Sequence, residues 1–276
     1  MRLARLRTAD GVRLALGIGD DVVCLDGVPA DPVAFLAHPE RDAVVARARE
    51  QGARLPVGEV TFAPSVAPPG KVACLALNYR AHAAEGGFVP PDRPVVFLKG
   101  PNTIAAHGDD VVVPALSRRI DHEGELAVVL GRRVRDLSGD WRDVVAGYTI
   151  MNDLTARDLQ LADIERGHPW DLAKSFDGYG PVGPWLVTPD EIANPHALDV
   201  TVTVDGEVRQ HASTGDMIFG VGELIRFLSS VMTLEPGDVI ATGTPEGIGP
   251  VGHGAEVAVA ITGLGELRNR IRFARP

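Results

Sequence analysis

Short apolar runs closed by glycine or proline fill this chain, and they restrict it to a fold built of many brief strands. The 276 residues include 31 glycines and 21 prolines. Proline fixes φ and removes a backbone donor, and glycine favours turns, so neither extends a long element. Between these breaks, residues 95–98, 126–130, 200–204 and 238–242 have the β-branched, apolar make-up of strands. Residues 255–261 alternate as a half-buried strand should. Asp205-Gly206 after Val204 is a hairpin signal, with Glu207-Val208-Arg209 returning. Helical patterns are fewer. The clearest are 155–166, closed by Gly167, and 221–231, before Pro236-Gly237.

The first part of the chain reads differently. Residues 14–25 suggest a hairpin turning at Gly19-Asp20-Asp21. Residues 42–51 suggest a charged helix with Asp42 as N-cap and Gly52 just past its end. Pro64, Pro68, Pro69 and Gly70 form a linker signal. The expected organisation is a small N-terminal α+β domain at 1–66 and a larger β-rich domain at 70–276. Helix–strand alternation is too irregular for a doubly wound sheet, and no repeat of fixed period stands out.

A chain of this length buries about three quarters of its unfolded surface, so its core needs no disulfide or structural metal. The two cysteines, Cys24 and Cys74, form no CxxC or Cys/His zinc spacing. Cys74 lies in an apolar run and reads as a small buried hydrophobe. Polar residues follow Arg2, Arg5 and Arg7 where a signal peptide would be apolar, and no apolar run approaches about 20 residues. A cytoplasmic protein is the expectation. With 27 Lys and Arg against 37 Asp and Glu, the net charge is −10. That disfavours nucleic acid and anionic membrane surfaces as partners. A small anionic substrate stays possible, because a few local cations reverse the sign of one pocket.

There is no GxSxG, HExxH or GxxxxGK[ST] motif. One GxGxxG match, Gly178 to Gly183, contains a proline and opens no helix, so it reads as chance. The strongest constellation is Asp121-His122-Glu123-Gly124-Glu125, which runs straight into the apolar strand at 126–130. Alternate strand residues share a face, so Glu123 and Glu125 point the same way. They either hold a divalent cation, which relieves their repulsion, or form an exposed acidic strand start. Asp153 follows a strand ending at Asn152. It either faces a pocket or caps the next helix. Arg157 and Gln160 share a helix face and suit a carboxylate-bearing ligand, or else form a surface pair. Lys174 sits in an apolar stretch and either snorkels or faces a pocket. Thr242-Gly243-Thr244-Pro245-Glu246-Gly247 is either an ordinary turn or a loop whose glycines let backbone approach a ligand. His82 and Glu85, three apart, are either a surface pair or a histidine oriented as a general base. Gly86-Gly87 next to them suggests a mobile lid.

Taken in order, these segments resemble the fumarylacetoacetate hydrolase family. They are Asn78-Tyr79-Arg80-x-His82-x-x-Glu85, Phe97-Leu98-Lys99, His122-Glu123-x-Glu125-Leu126, and Asn152-Asp153-x-Thr155-Ala156-Arg157-Asp158-x-Gln160. Ala173-Lys174-Ser175-Phe176-Asp177 and Thr242-Gly243-Thr244-Pro245-x-Gly247 complete them. The match runs from about 70 to 276. The resemblance implies a mixed β-roll or sandwich catalytic domain, dimeric, within an α+β, β-rich chain. It implies a divalent ion, Mg²⁺ with Mn²⁺ or Ca²⁺ as alternatives, held by Glu123, Glu125 and Asp153. Tyr79, Arg80, Arg157, Gln160 and Thr244 would bind a 2-keto acid or diacid, with Lys174 steadying the oxyanion. His82 and Glu85 would activate water. The implied activity is metal-dependent hydrolysis of a C–C bond in an acylpyruvate such as fumarylpyruvate. Isomerisation of a 5-carboxymethyl-2-hydroxymuconate type of diacid, or decarboxylation of oxaloacetate, are the alternatives.

Overall fold

A computed structural model describes residues 1–274; the last two residues of the expected larger domain, 275–276, lie outside the described residues. The N-terminal part builds β1 (Arg2–Thr8), β2 (Gly11–Ile18), β3 (Asp21–Cys24), α1 (Pro32–Leu36), α2 (Arg41–Gln51), β4 (Leu55–Pro56) and β5 (Phe62–Ala63). There follow β6 (Val72–Ala76), α3 (Arg80–Glu85), β7 (Val95–Lys99), β8 (Ile104–Ala105), β9 (Asp110–Val113), β10 (Ile120–His122) and β11 (Gly124–Leu130). The middle adds β12 (Val145–Asn152), β13 (Thr155–Ala156), α4 (Arg157–Glu165) and β14 (Gly180–Val187). The last stretch holds β15 (Asp199–Val204), β16 (Glu207–Ser213), α5 (Val221–Val231), β17 (Val239–Ala241), β18 (Gly249–Pro250), β19 (Glu256–Ile261) and β20 (Gly265–Phe273).

These strands form a large mixed sheet in the order β4-β3-β2-β1-β14-β12-β11-β17-β6-β7, with β5 and β8 paired to its side. A second sheet runs β16-β15-β19-β20-β9, and β10 pairs with β13 and β18. Most pairings are antiparallel, but β17–β6, β20–β9 and β14–β8 are parallel. The α+β, β-rich class read from the sequence is thus the observed one. Strand β11 explains why its run is apolar without interruption. Leu126, Val128 and Leu130 pack into a core shared with Val200, Val202, Val257 and Val259 of the second sheet. Ala127 and Val129 face a second core with Leu14, Leu16, Phe35 and Cys74. A strand buried on both faces has no polar positions to alternate.

The first 66 residues add to the same sheet: β1 pairs with β14, Arg2 opposite Val187 and Leu3 opposite Leu186. Arg5 fastens the proline-rich connection, donating to the carbonyls of Pro64 (3.1 Å) and Val66 (2.6 Å). Two helix starts differ from the expected ones. Glu40 occupies the N-cap position of α2, and Asp42 lies in its first turn, paired to Arg41. Helix α4 starts at Arg157 because Thr155 and Ala156 are held in a ladder with Asp121 and Ile120. That partner lies more than thirty residues upstream, beyond the reach of local propensity. Among the described residues, no helix is long and apolar enough to cross a membrane.

The backbone passes from β10 to β11 at Glu123-Gly124, leaving one sheet and entering another. A Cβ built on Gly124 would come within 2.4 Å of Val202 Cγ2 and 2.9 Å of Val259 Cγ1. Gly124→Ala therefore forces the second sheet outward. We expect a loss of about 1–3 kcal/mol in stability, read by thermal denaturation; an unchanged Tm would show that the two sheets separate freely here.

Candidate active site

The site begins with the ends of strands. Glu123 sits at the β10–β11 crossing, Glu125 one pleat further along β11, and Asp153 just past β12, the strand hydrogen-bonded to β11. Asp153 N–H donates to the Glu123 carbonyl (2.8 Å), and the Glu123 N–H donates to Asn152 Oδ1 (3.0 Å). This pairing brings carboxylate oxygens of Glu123, Glu125 and Asp153 within 4.8 Å of one another, all three buried. Asp153 does not cap α4. Its carboxylate accepts from Lys99 Nζ (2.6 Å) and Lys174 Nζ (2.8 Å).

Cations and carboxylates alternate outward from this point. Lys174 Nζ also donates to Glu123 Oε2 (2.7 Å). Glu123 Oε1 accepts from Arg157 and from Thr155 Oγ1 (2.9 Å). Arg157 Nε donates to Asp121 Oδ2 (2.9 Å), and its Nη1 donates to Gln160. Arg119 closes the row, donating to both Asp121 oxygens at 2.8 and 3.0 Å. Burial opposes the charge on Glu123, yet Lys174 and Arg157 outweigh it and hold its carboxyl well below the usual range. Burial likewise opposes the charge on Lys174, but Asp153 and Glu123 keep it firmly protonated. Glu125 differs. Its carboxylate accepts from the Gly243 N–H (2.7 Å) and joins none of these ion pairs. Burial, with Asp153 and Glu123 adding to it, pushes its pKa well up.

That contrast tests the fit of a metal. Three buried carboxylates carry oxygen donors only, the set preferred by Mg²⁺, Mn²⁺ and Ca²⁺. A divalent charge beside Glu125 would favour its ionised form, which Lys174 also favours but too weakly to offset burial and the two neighbouring carboxylates. The triad can hold a divalent ion.

Gly243 makes its contact possible. Its φ is +93°, and an added Cβ would meet Asn78 Cβ at 2.8 Å and the Leu75 carbonyl at 3.2 Å. Asn78 donates to the Thr242 carbonyl (2.7 Å), tying the segment before α3 to the loop after β17. Thr244 Oγ1 donates to the Gly124 carbonyl (3.0 Å) and accepts from Gln210 Nε2 (2.9 Å). On α3, a six-residue helix, His82 and Glu85 are one turn apart, with Nδ1 and Oε2 separated by 3.3 Å. The other Glu85 oxygen accepts from the Gly247 N–H (3.0 Å).

A cavity of about 510 Å³ joins these groups: Glu123, Arg157, Gln160, Lys174, Thr244 and His82 all line it. Two expected substrate residues are not in its wall. Tyr79 is buried, and its hydroxyl has no hydrogen-bond partner among the described residues. Arg80, the first residue of α3, is exposed. Three participants carried no assigned role in the sequence reading: Lys99 and Asp121, present only within quoted motifs, and Arg119. Lys99 had a weak signal as the third alternate residue of β7, after Val95 and Phe97. Lys99→Met leaves Asp153 one buried cation short. We expect about 3–5 kcal/mol of destabilisation, measured by urea unfolding; a smaller loss than about 1 kcal/mol would mean Lys174 alone suffices.

Comparison with known proteins agrees with this geometry. Residues 71–272 match the family model for the fumarylacetoacetate (FAA) hydrolase C-terminal domain. An uncharacterised protein of Pyrococcus abyssi is 45% identical over 204 residues, 74% of this chain and 90% of that protein. A crystal structure of maleylpyruvate hydrolase from Sphingobium sp. SYK-6, with manganese(II) and pyruvate, is 33% identical, with a TM-score of 0.84 over the whole of both chains. One of 5-carboxymethyl-2-hydroxymuconate delta-isomerase from Mycobacterium smegmatis is 34% identical, with a TM-score of 0.81 over 99% of this chain and all of that one. Fold and site define an enzyme family member with a buried acidic triad that could hold a divalent metal. The chain belongs to the fumarylacetoacetate hydrolase family.

Proposed function

We propose that this protein is a divalent-metal-dependent hydrolase that cleaves a C–C bond of an acylpyruvate. The observation that carries the proposal is that His82, paired with Glu85, lines the same cavity as Glu123 of the acidic triad. Glu123, Glu125 and Asp153 would hold the ion, proposed as Mg²⁺ with Mn²⁺ or Ca²⁺ as alternatives. When bound, the ion supplies Lewis-acid stabilisation of charge on the keto-acid oxygens. Glu85 beside Nδ1 keeps the proton there, which leaves His82 Nε2 free as the base. His82 takes a proton from water, and the hydroxide adds to the distal carbonyl. The bond between that carbonyl carbon and the pyruvyl CH₂ breaks, its electron pair staying on the CH₂ carbon. Protonation there, by His82 Nε2, completes R–CO–CH₂–CO–COO⁻ + H₂O → R–COOH + CH₃–CO–COO⁻. Arg157, Gln160 and Thr244 border the keto-acid end, and Lys174 steadies the oxyanion.

Purified protein with Mg²⁺ or Mn²⁺ should release pyruvate from acylpyruvates, and a chelator should abolish the release. Absence of pyruvate with every metal would end this reading. The likeness to the Mycobacterium smegmatis isomerase supports a second one, isomerisation of a hydroxymuconate-type diacid. Tautomerisation of such a diacid without pyruvate formation would favour it. Rapid CO₂ release from oxaloacetate would favour decarboxylation. Homodimerisation and a domain boundary at residues 66–70 belong to the same proposal.

A further inference from the structure

We propose that the acyl end of the substrate is an apolar chain and carries no second carboxylate. This inference deepens the acylpyruvate reading and rests on it. The cavity is charged at one end and apolar at the other. Lys174 Nζ lies 5.0 Å from the centroid of the Phe97 ring, so the aromatic wall begins where the ion pairs stop. Phe97 meets Trp170 edge-on, with centroids 4.9 Å apart. Beyond them the wall is Val95, Phe88, Leu161 and Ile164. The last three are 50%, 53% and 44% exposed, which is apolar surface that an alkyl tail would cover.

The cations give the second, independent argument. Among the described residues, the lysines and arginines lining the cavity are Arg119, Arg157 and Lys174. All three stand at the charged end, ion-paired there: Arg119 with Asp121, Arg157 with Asp121 and Glu123, Lys174 with Glu123 and Asp153. With its keto-acid head at Arg157 and Lys174, a substrate projects its far end toward Phe97 and Trp170. A carboxylate there would lose water and meet none of these three cations, which is unfavourable. A methylene there leaves water for an apolar wall. Each buried methylene is worth about a fourfold change in binding.

The test compares acetylpyruvate, butanoylpyruvate and hexanoylpyruvate with the ω-carboxylated counterpart of the last, 5-carboxypentanoylpyruvate. We expect kcat/KM to rise about fourfold per methylene along the alkyl series, and the ω-carboxylate to fall at least tenfold below hexanoylpyruvate. Leu161→Lys should reverse the order of those two substrates with six-carbon acyl groups. A flat alkyl series, or an ω-carboxylate that matches or exceeds hexanoylpyruvate, would overturn the proposal while leaving acylpyruvate hydrolysis standing. Binding provides a measure that needs no turnover. With Mg²⁺ present, 2-oxooctanoate should bind at least tenfold tighter than 2-oxooctanedioate by calorimetry, and equal or inverted affinities would sink the apolar tail on their own. No pyruvate from any substrate, with the monoacid still the tighter ligand, would instead remove the hydrolase reading.

Discussion

Glu125→Gln is expected to leave the metal-free protein as stable as the wild type, or more so, and to remove divalent-ion binding. Glu123→Ala is expected to remove the same binding and also to destabilise the fold. The two ligands differ because their counter-charges differ. Glu123 pairs with Lys174 and Arg157, and its loss takes one carboxylate from each, leaving Lys174 only Asp153 and Arg157 only Asp121. Breaking a buried pair in this way costs about 3–5 kcal/mol, or on the order of 10 °C in Tm. Glu125 contacts no cation, and burial beside Asp153 and Glu123 already disfavours its charge. A glutamine there still accepts from the Gly243 N–H through its amide oxygen. Without metal, then, the substitution removes nothing that the fold uses. With metal it removes a charged ligand. Affinity for Mn²⁺, measured by calorimetry, should fall by more than about 100-fold, the upper end of what even outer partners of a ligand contribute. An ion at 100 times its Kd stabilises the wild type by about 2.7 kcal/mol, and that metal-induced rise in Tm should vanish in both variants. A Glu125→Gln protein that keeps the rise would show that the ion does not use Glu125.

What could be read from the sequence, and what could not, follows from the range of the forces involved. Strand β11 and helix α5 were legible because local pattern decides them: α5 runs over the expected residues, Val221 to Val231. The acidic triad was legible only through the family resemblance, since the shared strand face of Glu123 and Glu125 and the place of Asp153 after its own strand left other readings open. The start of α4 was misjudged because Thr155 obeys a ladder partner distant in sequence. Lys99 escaped for the same reason, since it meets Asp153 only through the order in which β7, β6, β17, β11 and β12 line up. Asp121 continues the alternation of Glu123 and Glu125, yet it serves as counter-ion to Arg119 and Arg157. Tyr79 and Arg80 illustrate the converse. They adjoin His82 in sequence, but among the described residues one is buried without a hydrogen-bond partner and the other exposed, and neither lines the cavity. The apolar end of the cavity was invisible, because Phe97, Leu161 and Trp170 come from three separate segments.

His82→Ala separates catalysis from metal binding. The imidazole lines the cavity and its hydrogen bond goes to Glu85, not to a triad carboxylate, so its removal should leave Mn²⁺ affinity within about twofold of the wild type. Loss of a positioned general base lowers rates by about 10²–10⁴, and we expect a fall in kcat of that size for pyruvate release. Glu85 acts one step back. Its two oxygens divide between His82 Nδ1 and the Gly247 N–H, so it both selects the tautomer and anchors α3 to the loop that carries Thr244. Glu85→Gln keeps an accepting oxygen for only one of these two N–H groups and loses the charge that favours an imidazolium. It should therefore lower kcat by less than His82→Ala. Glu85→Ala removes both contacts and should also raise KM, because α3 loses its hold on the loop. Two outcomes would count against the pair. If His82→Ala turns over normally, the water is activated elsewhere. If it loses metal along with activity, His82 supports the triad and is not the base. The double variant His82→Ala/Glu85→Ala should be no slower in kcat than His82→Ala alone, since an orienting carboxylate has nothing left to orient.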